Sequence, residues 1–204
     1  MALWLMHTYA AYRMNIFKLE DKLRSDAFLI GNIAPDWINF VPDGRQLYRR
    51  KSHFRDQETA KFILNDFIER YYSDESDPMS RKFYEGYGFH IILDDIWGQE
   101  VYFKYFGKKV VPRSYYEECT KWDHIIKDWN GGSDCVQFLR TAYSFTEKSG
   151  INQDIAPNEI IHKAFLAARD FDYGDSPDMP SIILEEDIMG VIFKSIETFR
   201  RVFG

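Results

Sequence analysis

The stretch Tyr87-Gly88-Phe89-His90-Ile91-Ile92-Leu93-Asp94-Asp95-Ile96-Trp97 allows few placements in a folded chain. Its apolar residues cover most of the circumference of a helix, which predicts a helix buried through the middle of the protein. His90 and Asp94 stand four residues apart, so they share one face about one turn apart. An inward carboxylate on such a helix is costly unless something pairs with it. Two pairings are open. A metal ion is one, since His and Asp at i, i+4 form a chelating pair. A hydrogen bond between the two side chains in an ordinary helical core is the other.

The rest of the chain sets the context. Its 204 residues are 45% hydrophobic and 17% aromatic, which is enough to bury a core and excludes a disordered chain. Helical spacing of apolar residues predicts helices over 2–17, 56–72, about 79–106, 113–129, 134–148, 157–171 and 182–203. A polar stretch, Lys18 to Asp26, leads to an apolar run that ends at Gly31. No stretch alternates with a strand's period, so the expected fold is all-α, about eight helices in one compact domain over 1–204. Gly86, Gly88 and Gly98 mark thin or kinked points in the central helix, and Gly107 its stop.

The net charge of -6 argues against long-range attraction to nucleic acid or anionic lipid. One local patch opposes this. Arg45, Arg49, Arg50, Lys51 and Arg55 surround His53, either as a solvated face or as the holder of a substrate phosphate. Cys119 and Cys135 lack metal-type spacing and read as buried thiols. The first residues, Met-Ala-Leu-Trp-Leu-Met-His, show no basic region and no small-residue cleavage site, and no apolar run reaches a membrane span. The expected location is therefore the cytoplasm.

Other side chains that ligate metals recur in apolar or turn settings. His7 lies on the apolar face of the first helix, and Asp36 follows Pro35 in a turn between Ile33 and Trp37. With His53, His90 and Asp94 they make three histidines and two aspartates, a set that zinc accepts.

These residues carry a resemblance. His7 in the first helix, Gly31-Asn32-Ile33-Ala34-Pro35-Asp36, Lys51-Ser52-His53-Phe54 and Gly88-Phe89-His90-x-x-x-Asp94 are similar, in order and rough spacing, to the zinc-dependent phospholipase C and P1-type nuclease superfamily. They cover about the first half of the chain. The resemblance implies a helical fold with a zinc cluster at the bottom of a cleft. It implies that Asp36, His53, His90 and Asp94 bind one zinc, that Asp94 bridges to a second, and that His7 binds the second. It also gives Asp36 as the candidate catalytic base. The implied activity is hydrolysis of a phosphoester: a phospholipase C-like phosphodiesterase, a single-strand nuclease or 3′-nucleotidase, or else a non-catalytic module with a structural metal.

The chain departs from the family in two places. Secreted family members begin, after signal cleavage, with a Trp whose amine binds metal, whereas Trp4 here follows Met-Ala-Leu. A third family site uses a His six residues after the bridging Asp, where this chain has Glu100. A possible later pair is His124-x-x-x-Asp128, with Asp123 as an alternative and His162, preceded by Glu159, as a spare candidate.

Overall fold

The computed structural model describes residues 4–18, 21–36, 52–55, 63–107, 113–141, 162–163, 166–167, 169–172 and 178–204. Among them the regular structure is helical, with no strand. In chain order the helices are α1 (Trp4–Arg13), α2 (Lys22–Gly31), α3 (Leu64–Phe67), α4 (Pro78–Trp97), α5 (Phe103–Phe106), α6 (Arg113–Ile126), α7 (Gly132–Thr141) and α8 (Glu185–Phe203). A π-helical turn, Ile68–Tyr72, extends α3, and another, Gly98–Tyr102, joins α4 to α5. Expected helical residues 56–62, 142–148 and 157–161 fall outside the described residues, as do cationic residues 45–51.

Helix α4 is the axis of the fold. Asp77 caps it by accepting from Ser80 N at 2.7 Å, and Pro78 takes the first-turn position that needs no N–H donor. Phe83 to Asp94 is buried without interruption, as expected for a helix that is apolar all round. Gly98 opens the π turn, and Gly107, at φ 72°, stops the helical run in the left-handed region glycine tolerates.

Helices α2 and α8 pack on α4. The α2–α4 crossing is unusually close. A Cβ on Gly31 would lie 2.0 Å from the Phe83 carbonyl oxygen, and one on Gly86 would lie 1.9 Å from that of Phe28. Only glycine at both positions lets the backbones meet, and the crossing delivers the chain after Gly31 to the face carrying His90. Phe28, Phe89 and Phe199 interlock where α2, α4 and α8 join.

Helix α6 stops at Ile126 and α8 starts at Glu185, each three residues inside the expected range, and two further differences have a local cause. Helix α2 begins at Lys22, inside a polar stretch, because Asp21 accepts from the amides of Leu23 and Arg24 while Leu23 and Arg24 face solvent. Helix α1 ends at Arg13, not near residue 17; Asn15 at φ 63° breaks it before a short 3₁₀ turn, Ile16–Lys18.

No helix among the described residues is long and apolar enough to cross a membrane. Cys119 and Cys135 are separate buried thiols, and burial pushes Cys119 up to about 12, which keeps it unreactive.

Candidate metal centre

Four segments bring the five singled-out side chains together. Helix α1 supplies His7, the turn after α2 supplies Asp36, the Ser52–Arg55 segment supplies His53, and α4 supplies His90 and Asp94. Asp36 is held by a tight turn in which its amide donates to Ile33 O at 3.1 Å. Ala34 belongs to that turn despite the bias of a following proline toward extended backbone. All five residues are 5% exposed or less.

The three imidazoles converge on one carboxylate. His7 Nε2 lies 3.4 Å from Asp94 Oδ1; His53 Nε2 and His90 Nε2 lie 3.4 and 3.8 Å from Asp94 Oδ2. His53 Nε2 is also 3.9 Å from Asp36 Oδ1. The rings of His7 and His90 stack at 3.8 Å, and His53 meets His90 edge-on. These nitrogen–oxygen separations exceed the ~2.7–3.2 Å of a good hydrogen bond. Accordingly, the Nε2 atoms of all three histidines are buried without a hydrogen bond among the described residues.

Buried polar atoms left this way are uncommon and call for a missing partner. The donor set is one that could hold a metal ion. Nitrogen and oxygen ligands held at ~2.0–2.2 Å by a tetrahedral ion stand roughly 3.4 Å from one another. The observed 3.4–3.9 Å matches that spacing. Two sets of ligand atoms lie within 4.8 Å of one another: His7, His90 and Asp94, and Asp36, His53 and His90.

Electrostatics favour the same occupant. Burial holds His90 well below the usual histidine range, reinforced by His7, so its imidazole is neutral, the form that ligates metals. Burial alone would raise Asp94. Opposing interactions, among them those with His53, His7 and His90, hold it well below the usual carboxylate range, so it is ionised.

The remaining candidates lie elsewhere. Glu100 is half exposed and pairs with Lys194 at 2.9 Å. His124 packs on Phe171, and Asp128 is exposed beside Lys127. None of the three belongs to a metal-type group of described residues, and neither does His162. Glu159 lies outside the described residues.

Asp123 has a different task. It is 3% exposed, its Oδ1 has no hydrogen-bond partner among the described residues, and its charge is favoured by the Leu5 and Met6 amides in the first turn of the helix that carries His7. The clue in the sequence was its place beside Trp122, between Cys119 and Ile126, on the apolar face of α6. Burial pushes Asp123 up to about 8 despite those amides. Its ordinary unfolded value is about 3.9. Between these values the folded state holds a proton the unfolded state has released, so this group's stabilisation is complete below about pH 4 and lost by about pH 8. Asp123→Asn is expected to flatten that slope, read as urea midpoints at pH 5 and pH 8; an unchanged slope would remove Asp123 as its source.

A cleft of about 230 Å³ opens from the centre and is lined by His53, Asp94, Arg55, Asp95, Tyr102, Phe103, Tyr115 and Tyr116, among others. Arg55 Nη1 lies 3.8 Å from Asp95. Phe103 and Tyr116 are 45% and 39% exposed at its rim. The π turn after α4 places Gln99 and Tyr102 on the wall, a common use of such irregularities at functional sites.

Comparison with known proteins leaves the geometry to stand alone: no family model, curated protein or solved structure matches the chain.

Proposed function

We propose that the protein is a metal-dependent phosphoester hydrolase of the phospholipase C/P1 nuclease type, with His7, Asp36, His53, His90 and Asp94 holding zinc, in two ions by the resemblance. The observation that carries this reading is the convergence of three partnerless buried imidazole nitrogens on one ionised carboxylate at the base of a cleft.

Zinc, when bound, supplies Lewis acidity to a phosphoryl group and lowers the pKa of water toward neutrality. The chain's own residues do the rest. Asp36, buried beside His53, is the candidate to take the proton of the attacking water. Of the five cations around His53, Arg55 is the one within the described residues, and it lines the cleft. Its guanidinium, already aligned by Asp95, is placed to meet a phosphate oxygen. The depth of His7 and His90 keeps those two side chains out of bulk water.

Cleft size and lining bear on the substrate. About 230 Å³ lies below the ~300–1,000 Å³ typical of drug-sized ligand sites, which favours a phosphate with one small group over a two-chain phospholipid. The aromatic wall supports a second reading, the nucleotidase or nuclease form of the activity, because a planar base stacks on such rings. A structural metal closed off by four protein ligands is the competing non-enzymatic reading. The cleft reaching His53 and Asp94 weighs against it.

Elemental analysis of the purified protein, paired with hydrolysis of an aryl phosphodiester and an aryl phosphomonoester, separates these readings. Zinc at one or two equivalents and chelator-sensitive hydrolysis are expected. Zinc without hydrolysis of any phosphoester would favour the structural metal, and absence of both would end the proposal.

A further inference from the structure

We infer that Asn32 and Ser52 are positioning residues of this centre: Asn32 holds the His90 ring and ties down the backbone at His7, Ser52 holds the His53 ring, and together they aim the Nε2 atoms of His90 and His53 at Asp94. The inference rests on the metal-centre reading above and names the groups behind it.

Asn32 is fully buried just after α2, where the Gly31–Gly86 crossing brings the chain against α4. Its amide N donates to Phe28 O at 2.8 Å and closes the helix. Its side-chain Nδ2 donates to the His7 carbonyl at 2.7 Å. Its carbonyl oxygen is 2.8 Å from His90 Nδ1. One residue thus ties α1, α2 and α4 together at the point where their ligands meet. A carbonyl only accepts, so the proton of neutral His90 sits on Nδ1 and the lone pair on Nε2. His90 is therefore held in the tautomer a metal needs.

Ser52 works differently. Its Oγ is 2.8 Å from His53 Nδ1, and Tyr87 on α4 donates to the Ser52 carbonyl at 2.5 Å, which pins the segment to the central helix. A hydroxyl both donates and accepts. When it donates to Nδ1, His53 carries its proton on Nε2, facing Asp94 and Asp36. When it accepts from Nδ1, the Nε2 lone pair is released in the same place. Ser52 lets His53 present either a proton or a lone pair on Nε2 without turning, whereas His90 has one state.

The test uses the full chain. Zinc affinity is measured by chelator competition for wild type, Ser52→Ala, Ser52→Thr and Asn32→Asp, with circular dichroism to confirm folding. Ser52→Ala is expected to weaken zinc binding about 10–100-fold, while Ser52→Thr, which keeps the hydroxyl, stays near wild type. Asn32→Asp, which sets an acceptor against the His7 carbonyl, is expected to lose at least tenfold. Nitrogen NMR of the metal-free wild type is expected to find His90 protonated on Nδ1. Wild-type affinity in a folded Ser52→Ala protein, or His90 protonated on Nε2, would overturn the inference while leaving the metal centre intact. A wild type that binds no zinc would sink the metal reading itself, and the NMR result would still decide the His90 tautomer.

Discussion

Asp94→Asn is expected to leave the protein folded, empty its metal centre and lower phosphoester hydrolysis by at least about a thousandfold. Asp94 is where the three imidazoles meet, at 3.4, 3.4 and 3.8 Å. An amide has the same shape but no charge, and one of its two heavy atoms is a donor that repels a cation. A bound metal contributes several kcal/mol to stabilising charge at phosphorus, and about 4 kcal/mol corresponds to a thousandfold in rate. The fold should survive because neutral His90 does not depend on a facing charge. Zinc content by elemental analysis, kcat/KM on an aryl phosphodiester and the thermal midpoint of the metal-free protein make the comparison. Wild-type zinc content in Asp94→Asn would refute this reading. His124→Ala, away from the centre, is the control and should change none of the three.

Why Asp94 was legible and other residues were not follows from the range of each signal. His90 and Asp94 lie on one helix, so their spacing alone states that they share a face. The burial of α4 was legible because its apolar residues leave no face for water. The meeting of His7, Asp36 and His53 with that pair is a matter of helix crossings, and no local spacing encodes those. The hints were their shared setting, ligating side chains in apolar or turn contexts, and the motif order that carries the resemblance. Helix α2 was hidden for another reason. Its first turn puts polar residues into water, so the run looked like a connection, although Asp21 stood there as a capping signal. Asp123 and Asp128 were ambiguous as letters. Depth separates them, since Asp123 is 3% exposed and the Asp128 side chain 75%.

Gly86→Ala is expected to be the most damaging small substitution in the scaffold, costing about 3 kcal/mol or more. The added carbon would stand 1.9 Å from the Phe28 carbonyl oxygen, and no flexible side chain is there to give way. The two backbones must separate by more than an ångström. In an exposed helix the same change would stabilise by up to about 1 kcal/mol, because alanine is the better helix former. The sign of the effect therefore reports the crossing itself. Gly31→Ala meets the Phe83 carbonyl at 2.0 Å and should behave alike. The consequence reaches the centre, because the residues after Gly31 include Asn32, which touches His7 and His90, and Asp36, which faces His53. Zinc affinity should fall along with the urea midpoint in either variant. Gly98→Ala, where a Cβ meets nothing within 4 Å, should cost little in stability. A stabilised Gly86→Ala protein would mean that α2 and α4 do not cross at Gly31 and Gly86, and the path by which the fold carries Asn32 and Asp36 to His90 would fail with it.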